Sequence, residues 1–163
     1  MKIAVIGGTG YVGLTTAVCL ASRGHLVFCV GRNKEKIDNI CTGLPIIYEE
    51  NLGRMLKDVL ERNKLIPTTD LRNAIQSSDI SFICVGTPSK ADGSIDLIQV
   101  ENAAKEIGLT LARKRDYHVV TIKSTVLPGT TEETVTPILE EASGKRAGVD
   151  FGVCMNPEFL REG

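Results

Sequence analysis

The stretch Lys2-Ile3-Ala4-Val5-Ile6-Gly7-Gly8-Thr9-Gly10-Tyr11-Val12-Gly13 decides how this chain folds. Lys2–Ile6 is a short apolar run that reads as a buried strand. From Tyr11 to Arg23, Val12, Ala17, Val18, Leu20 and Ala21 form an apolar face at helical spacing, and Gly24 supplies the C-terminal stop. Between the two, Gly8, Gly10 and Gly13 satisfy G-x-G-x-x-G. Each glycine in that spacing has a physical task. One allows a tight turn, one lets a pyrophosphate approach the backbone, and one lets the helix pack closely on the strand. The helix N-terminus then points N–H groups and a partial positive charge at the phosphates. The segment therefore implies a dinucleotide-binding turn.

Working outward, short apolar runs alternate with helical patterns. Leu26–Val30, Leu65–Thr68, Ile80–Val85, His118–Lys123 and Phe151–Met155 read as five further strands. Helical patterns cover Lys34–Ile40, Asn51–Glu61 and Asp70–Gln76, the last with Thr69 as its cap. Leu97, Val100, Ala104, Ile107 and Leu111 repeat at helical spacing, after a loop in which Asp92 and Asp96 read as turn and cap residues. Thr130 and Glu133 have capping-box spacing and open a helix carrying Val135, Ile138, Leu139 and Ala142. Strands alternating with helices imply an α/β fold with a mostly parallel sheet and helices on both faces. The expectation is a six-stranded, doubly wound Rossmann-type sheet in the order 3-2-1-4-5-6, occupying residues 1–163 as one dinucleotide-binding domain.

Composition agrees with one globular domain. The chain has 163 residues, 42% of them hydrophobic, and a formal net charge of -1. Acids and bases are interspersed, so no broad basic face for nucleic acid is expected. No secretory signal or membrane-spanning stretch is read from the chain. The five cysteines Cys19, Cys29, Cys41, Cys84 and Cys154 are unclustered and sit mostly in apolar runs, which suggests reduced thiols in a cytoplasmic protein without a metal centre.

The usual confirmation of the glycine turn is an acidic residue about 20 residues on, bound to the adenosine ribose 2′-hydroxyl. Here the second strand ends Cys29-Val30-Gly31-Arg32-Asn33, with Gly31 at that place. Gly31 removes a carboxylate that would repel a 2′-phosphate, and Arg32 supplies a cation that accommodates one. NADP thus stands beside NAD as a candidate cofactor. The plain alternative for Arg32 is a solvated surface residue. Gly7, Gly10 and Gly13 also satisfy G-x-x-G-x-x-G, a spacing common in short-chain reductases and epimerases. That class needs a Tyr-x-x-x-Lys pair, and Tyr11, Tyr48 and Tyr117 are followed four residues later by Thr15, Leu52 and Thr121.

Three later segments are more specific. They are Phe82-Ile83-Cys84-Val85-Gly86-Thr87-Pro88-Ser89 with Asp92-Gly93-Ser94-Ile95-Asp96-Leu97, then Lys123-Ser124-Thr125-Val126-Leu127-Pro128-Gly129-Thr130-Thr131, then Asn156-Pro157-Glu158-Phe159-Leu160-Arg161-Glu162-Gly163. In order, spacing and position at strand ends, the chain resembles the N-terminal cofactor-binding domain of the UDP-glucose/GDP-mannose dehydrogenase family. Pro45–Leu52 resembles that family's loop after the second helix, with Glu50-Asn51 where Pro-Gly is usual.

The resemblance implies a chemistry and a set of roles. Such enzymes oxidise the C6 alcohol of a UDP- or GDP-sugar to a carboxylate in two hydride transfers that consume two NAD. An aldehyde is trapped on a cysteine as a thiohemiacetal, becomes a thioester and is hydrolysed. By the same resemblance, Gly8, Gly10, Tyr11, Val12 and Gly13 lie at the cofactor pyrophosphate. Gly31, Arg32 and Lys36 lie at its adenosine end, with Lys36 equally readable as solvated, and Thr87 makes a further cofactor contact. Thr125 positions a catalytic water or the substrate oxygen beside the cofactor; its bland alternative is a helix-entry residue. Glu158 is the catalytic acid/base, where an ordinary turn is the alternative. Glu158, Phe159, Leu160 and Arg161 bind the sugar nucleotide, and Glu162 lies near the nicotinamide.

The family's nucleophilic cysteine belongs to a C-terminal domain whose glycine-rich motif is absent here, as is the central helix through which the family's full-length members form homo-oligomers. None of the five cysteines is expected to replace it. Cys41 reads as the most exposed, but nothing basic is placed to activate it. The expectation is a monomeric chain, with weak or no self-association, that binds cofactor without turnover. A non-catalytic nucleotide-binding paralogue is the alternative.

Overall fold

A strand covered on both faces must be apolar on both, and the central strands Lys2–Ile6 and Leu26–Val30 satisfy that condition. A computed structural model describes residues 1–161. Strand β1 (Lys2–Ile6) leads into helix α1 (Tyr11–Ser22), then β2 (Leu26–Val30), α2 (Lys34–Cys41), α3 (Leu52–Glu61) and β3 (Leu65–Thr68). The second half adds α4 (Leu71–Gln76), β4 (Ile80–Ile83), α5 (Ile98–Leu111), β5 (Val119–Ile122), α6 (Thr136–Ser143) and β6 (Gly152–Met155). All strands pair in parallel, in the order β3-β2-β1-β4-β5-β6. This is the doubly wound order expected from the sequence. Its direction reverses between β1 and β4, where their two carboxyl ends part.

Ile3 and Val5 of β1, with Val27 and Cys29 of β2, face Leu14, Val18, Leu56 and Val59 of α1 and α3. Ala4, Ile6, Phe28 and Val30 face the other way, into a core shared with Ile75, Ile107 and Leu139 from α4, α5 and α6. These two cores clamp the sheet and hold its carboxyl ends in a fixed frame. Among the described residues no helix is long and apolar enough to cross a membrane.

Local details depart from the sequence reading at helix starts. The cap of α4 is Asp70, whose carboxylate accepts from the Asn73 N–H at 2.9 Å; Thr69 stands one residue too early. The Thr68 hydroxyl accepts from Asp70 N instead and fixes the turn. Thr130 does not cap α6. It already has helical φ and ψ, and the chain enters α6 through a π-helical turn at Thr131–Val135. Glu133 therefore has no capping box to close. Asn51 adopts a left-handed conformation (φ 64°) before α3 and belongs to the turn. Strands β4, β5 and β6 are each shorter than their apolar runs, because pairing stops before Cys84, begins after His118 and begins after Phe151. Asp92 acts as the expected turn residue, accepting from the Ser94 N–H; Asp96 accepts from the Ile98 N–H, but it stands one residue before the N-cap of α5, Leu97, which has no side-chain cap bond.

His118 is fully buried just before β5. Its Nδ1 lies 3.1 Å from the Ser78 carbonyl and its Nε2 3.0 Å from the Ser81 hydroxyl. A carbonyl only accepts, so the neutral ring donates from Nδ1 and accepts at Nε2. Burial lowers its pKa from 6.5 to about 4, against the upward pull of the Ser78 carbonyl. A histidine whose pKa falls on folding is protonated first in the unfolded chain. Its contribution is therefore complete above pH 6.5 and drains away as pH falls toward about 4. Thermal melts at pH 7 and pH 5 are expected to show a loss of stability that is smaller in His118→Asn; equal losses in both proteins would contradict this role.

Candidate functional site

The glycine turn is built by three close approaches and one open position. Gly7 has φ +86°, and a Cβ there would lie 2.5 Å from the Cys84 carbonyl oxygen, where β4 leaves the sheet. A Cβ on Gly8 would lie 2.5 Å from the Cys29 sulfur. A Cβ on Gly13 would run into the Gly7 carbonyl oxygen. These three glycines are required by the protein itself. Gly10 is different. Its φ is -96°, which any residue adopts, and a Cβ there would meet nothing nearer than 3.4 Å. The fold does not need a glycine at this position, whereas a ligand lying against the backbone does.

The N-terminus of α1 points at the same place. Gly10 is its N-cap, no side chain caps it, and its first turn carries no acid. The N–H groups of the first turn have no acceptor within the helix, and the end carries partial positive charge. The fold thus presents an anion-binding end at the switch point of the sheet, where the residues present fit a dinucleotide pyrophosphate.

A cavity of about 370 Å³ opens beside this turn. Of the candidate cofactor residues, Gly10, Gly31, Arg32 and Lys36 line it, while Gly8 and Gly13 form the buried floor of the turn. Arg32 reaches Glu106 of α5 across 3.7 Å, with both side chains largely exposed. The Lys36 side chain is exposed, and its backbone N–H bonds to the Asn33 side chain that caps α2. Thr9, Thr69, Gln99 and Glu106 also line the cavity and were missed by sequence reasoning. Gln99 and Glu106 come from α5, about 70 residues beyond the second strand, and no local pattern marks them. Thr9 carried a signal, its place inside the glycine motif.

The other candidates gather at the ends of β4, β5 and β6. The Thr87 hydroxyl donates to the Thr125 carbonyl at 2.8 Å, so these two threonines are brought together, outside the lining of the cavity. Buried Ser124 bonds to the Val85 carbonyl at 2.7 Å and ties the β4 and β5 loops. The Lys123 ammonium donates to the Asn156 side chain at 3.2 Å. The half-buried Glu158 carboxylate accepts a short bond from the Leu160 N–H. Phe159 is 89% exposed. The Tyr11 hydroxyl lies 2.7 Å from both the Glu49 carboxylate and the Arg161 carbonyl, which draws the segment after β6 over the start of α1. Val12 is half-buried in the first turn of α1, beside Tyr11. Glu162 lies outside the described residues.

The cysteines divide differently from the sequence reading. Cys19, Cys41 and Cys154 are exposed, where the pattern singled out Cys41. Cys154 lies on edge strand β6, and its sulfur is 3.2 Å from the Thr121 hydroxyl. Cys29 and Cys84 are buried, and burial pushes both thiols up to about 12. Lys123 lowers the Cys84 value and Glu158 raises it, which registers both charged groups near the end of β4. Neither buried thiol is a thiolate near neutral pH.

Residues 1–163 match the model of the NAD binding domain of the UDP-glucose/GDP-mannose dehydrogenase family. The chain is 48% identical over 162 residues to the GDP-mannose 6-dehydrogenase of Pseudomonas aeruginosa, covering 99% of this chain and 37% of that protein. It is 44% identical over 163 residues to a UDP-glucose 6-dehydrogenase of Haloferax volcanii, again covering 37% of the relative. Among solved structures, a ternary complex of the Pseudomonas aeruginosa GDP-mannose dehydrogenase superposes with a TM-score of 0.97, covering 99% of this chain and 37% of that one. A UDP-glucose dehydrogenase from Pyrobaculum islandicum does so with a TM-score of 0.92 at 42% identity, covering 99% and 36%.

The two kinds of glycine are separable by mutation. Gly10→Ala is expected to keep unfolding stability within about 1 kcal/mol while losing dinucleotide affinity at least about tenfold, a loss of one charge-assisted hydrogen bond. Gly13→Ala is expected to lower stability itself. Urea unfolding and a dinucleotide titration of both variants check this; retained affinity in a stable Gly10→Ala protein would contradict it.

Proposed function

Because this chain belongs to the UDP-glucose/GDP-mannose dehydrogenase family, we propose that it is the cofactor-binding part of an enzyme that oxidises the C6 alcohol of a UDP- or GDP-sugar to a carboxylate. The observation that carries this reading is Gly10. It is a glycine with no steric need inside the protein, at the uncapped start of α1 and beside the cavity. A nicotinamide dinucleotide seated there supplies hydride acceptance. The residues of this chain bind, orient and manage protons. The first turn of α1, at Tyr11, Val12 and Gly13, holds the pyrophosphate by backbone N–H groups. Gly31, Arg32 and Lys36 flank the adenosine end, and Thr87 fixes the β4 loop by its bond to Thr125.

Thr125 and Glu158 are the residues proposed to act on substrate. Both follow strand carboxyl ends, in loops where the Lys123 ammonium bonds to the Asn156 side chain. A carboxylate at Glu158 can accept the alcohol proton as hydride leaves, release it to solvent, and accept a proton again from the attacking water in the hydrolytic step. Phe159, Leu160 and Arg161 are exposed and follow β6 outside regular secondary structure, suited to meet a sugar nucleotide. Glu162 is proposed to stand at the nicotinamide end of the same segment.

The covalent step needs a reactive thiol. Cys29 and Cys84 are held protonated by burial, and no basic side chain is hydrogen-bonded to Cys19, Cys41 or Cys154 among the described residues. We therefore assign that thiol to a part of the enzyme outside these residues, which span 37% of the length of the Pseudomonas aeruginosa relative. The family match supports NAD as the cofactor, and Gly31 and Arg32, standing in place of the ribose acid, keep NADP beside it. A non-catalytic nucleotide-binding paralogue is the second reading, favoured by the same loss of the ribose acid.

The test is direct. These 163 residues are expected to bind a reduced nicotinamide dinucleotide saturably, with fluorescence or calorimetry as the readout. They are expected to show no steady reduction of NAD or NADP when UDP-glucose or GDP-mannose is added. Steady turnover by these residues alone would contradict the assignment of the thiol, and absence of any dinucleotide binding would contradict the reading as a whole.

A further inference from the structure

The adenosine end of the cavity is closed to an acid by the protein's own packing. Gly31 is buried at the carboxyl end of β2 with its backbone N–H bonded to the Thr68 carbonyl at 3.0 Å. A Cβ on Gly31 would collide with the Thr9 methyl group, and would stand 3.1 Å from both the Thr9 hydroxyl and the Ile37 side chain. Thr9 is β-branched, so its side chain has few rotamers into which to retreat. The space that an aspartate or glutamate at position 31 needs is thus occupied from across the glycine turn. Thr9 itself lines the cavity, and its hydroxyl makes no hydrogen bond to another described residue.

Charge at this end follows the same pattern. Arg32 and Lys36 are the cations lining the cavity, and Glu106 is the carboxylate. Glu106 holds Arg32 only through a 3.7 Å ion pair whose partners are 69% and 51% exposed. Such a pair is weak in solvent and yields to a better-placed anion. A guanidinium matches the geometry of a phosphate, donating two parallel N–H bonds to it.

Resting on the reading of this cavity as a nicotinamide-dinucleotide site, we propose that Thr9 and Gly31 are a matched specificity pair that excludes the ribose-binding acid and, with Arg32, selects a dinucleotide carrying a 2′-phosphate. Thr9 does two things. It keeps position 31 a glycine, and it offers its hydroxyl to the adenosine ribose edge. Arg32 leaves Glu106 for the phosphate, and Lys36 adds charge at the same end.

The experiment measures NADPH and NADH affinities in parallel, at low and at high salt. NADPH is expected to bind about tenfold more tightly, the worth of one charge-assisted hydrogen bond, and the advantage is expected to shrink as salt screens it. Arg32→Ala is expected to bring the ratio of the two affinities toward one. Gly31→Asp alone is expected to weaken both ligands, because Thr9 must be displaced. Thr9→Ala with Gly31→Asp is expected to favour NADH, which identifies the pair as the determinant. Tighter NADH binding by the unmodified protein, or an affinity ratio untouched by Arg32→Ala, overturns the proposal and leaves the dinucleotide site standing. An improvement in NADH affinity by Gly31→Asp alone overturns the pairing with Thr9. Failure to bind either ligand overturns the proposal together with the site on which it rests.

Discussion

The contact of Gly13 with the Gly7 carbonyl is the constraint on which the rest depends. It brings the first turn of α1 against the end of β1 more closely than any side chain allows. The helix axis is thereby aimed at the point where the strand order reverses, with its N–H groups directed out of the carboxyl edge of the sheet. Gly7 makes the same kind of approach to Cys84, so β1, α1 and the exit of β4 are locked to one another. An anion site follows from this packing without any charged side chain.

The remainder of the fold serves to hold that corner still. Two apolar layers on opposite faces of the sheet come from alternate residues of the same strands. Loops at the carboxyl edge are then fastened by polar bonds: Thr87 to Thr125, Ser124 to Val85, Lys123 to Asn156. Tyr11 links the glycine turn to Glu49 and to the segment after β6, so the place for the cofactor and the place proposed for substrate share one side chain. The residues proposed to act are thus positioned by a rigid sheet and by short bonds between neighbouring loops.

Much of this architecture was legible in the chain because hydrophobic periodicity is a direct imprint of burial. The strand order, the glycine turn and the family resemblance all rest on it and on motifs at strand ends. Helix starts were less legible. Thr69 and Asp70 are both good caps, and only the backbone angle at Asp70 decides between them. Thr130 and Glu133 have the right spacing for a capping box, yet the chain is already helical at Thr130 and widens into a π turn. Cys154 reads as a small hydrophobe because it lies within an apolar strand run, but β6 is an edge strand and leaves it exposed. The loss of the acid at Gly31 was visible, whereas its cause in Thr9 was not, since the two residues meet only across the folded turn.

The central claim is that backbone N–H groups at the start of α1, and not a charged side chain, hold the ligand's phosphates. The most direct measurement is a set of amide NMR shifts recorded while ADP-ribose is added. The account predicts that the largest shifts fall on Gly10, Tyr11, Val12 and Gly13, with a second group at Gly31, Arg32 and Asn33. Shifts confined to surface lysines and arginines, with the amides of the glycine turn unmoved, would contradict it.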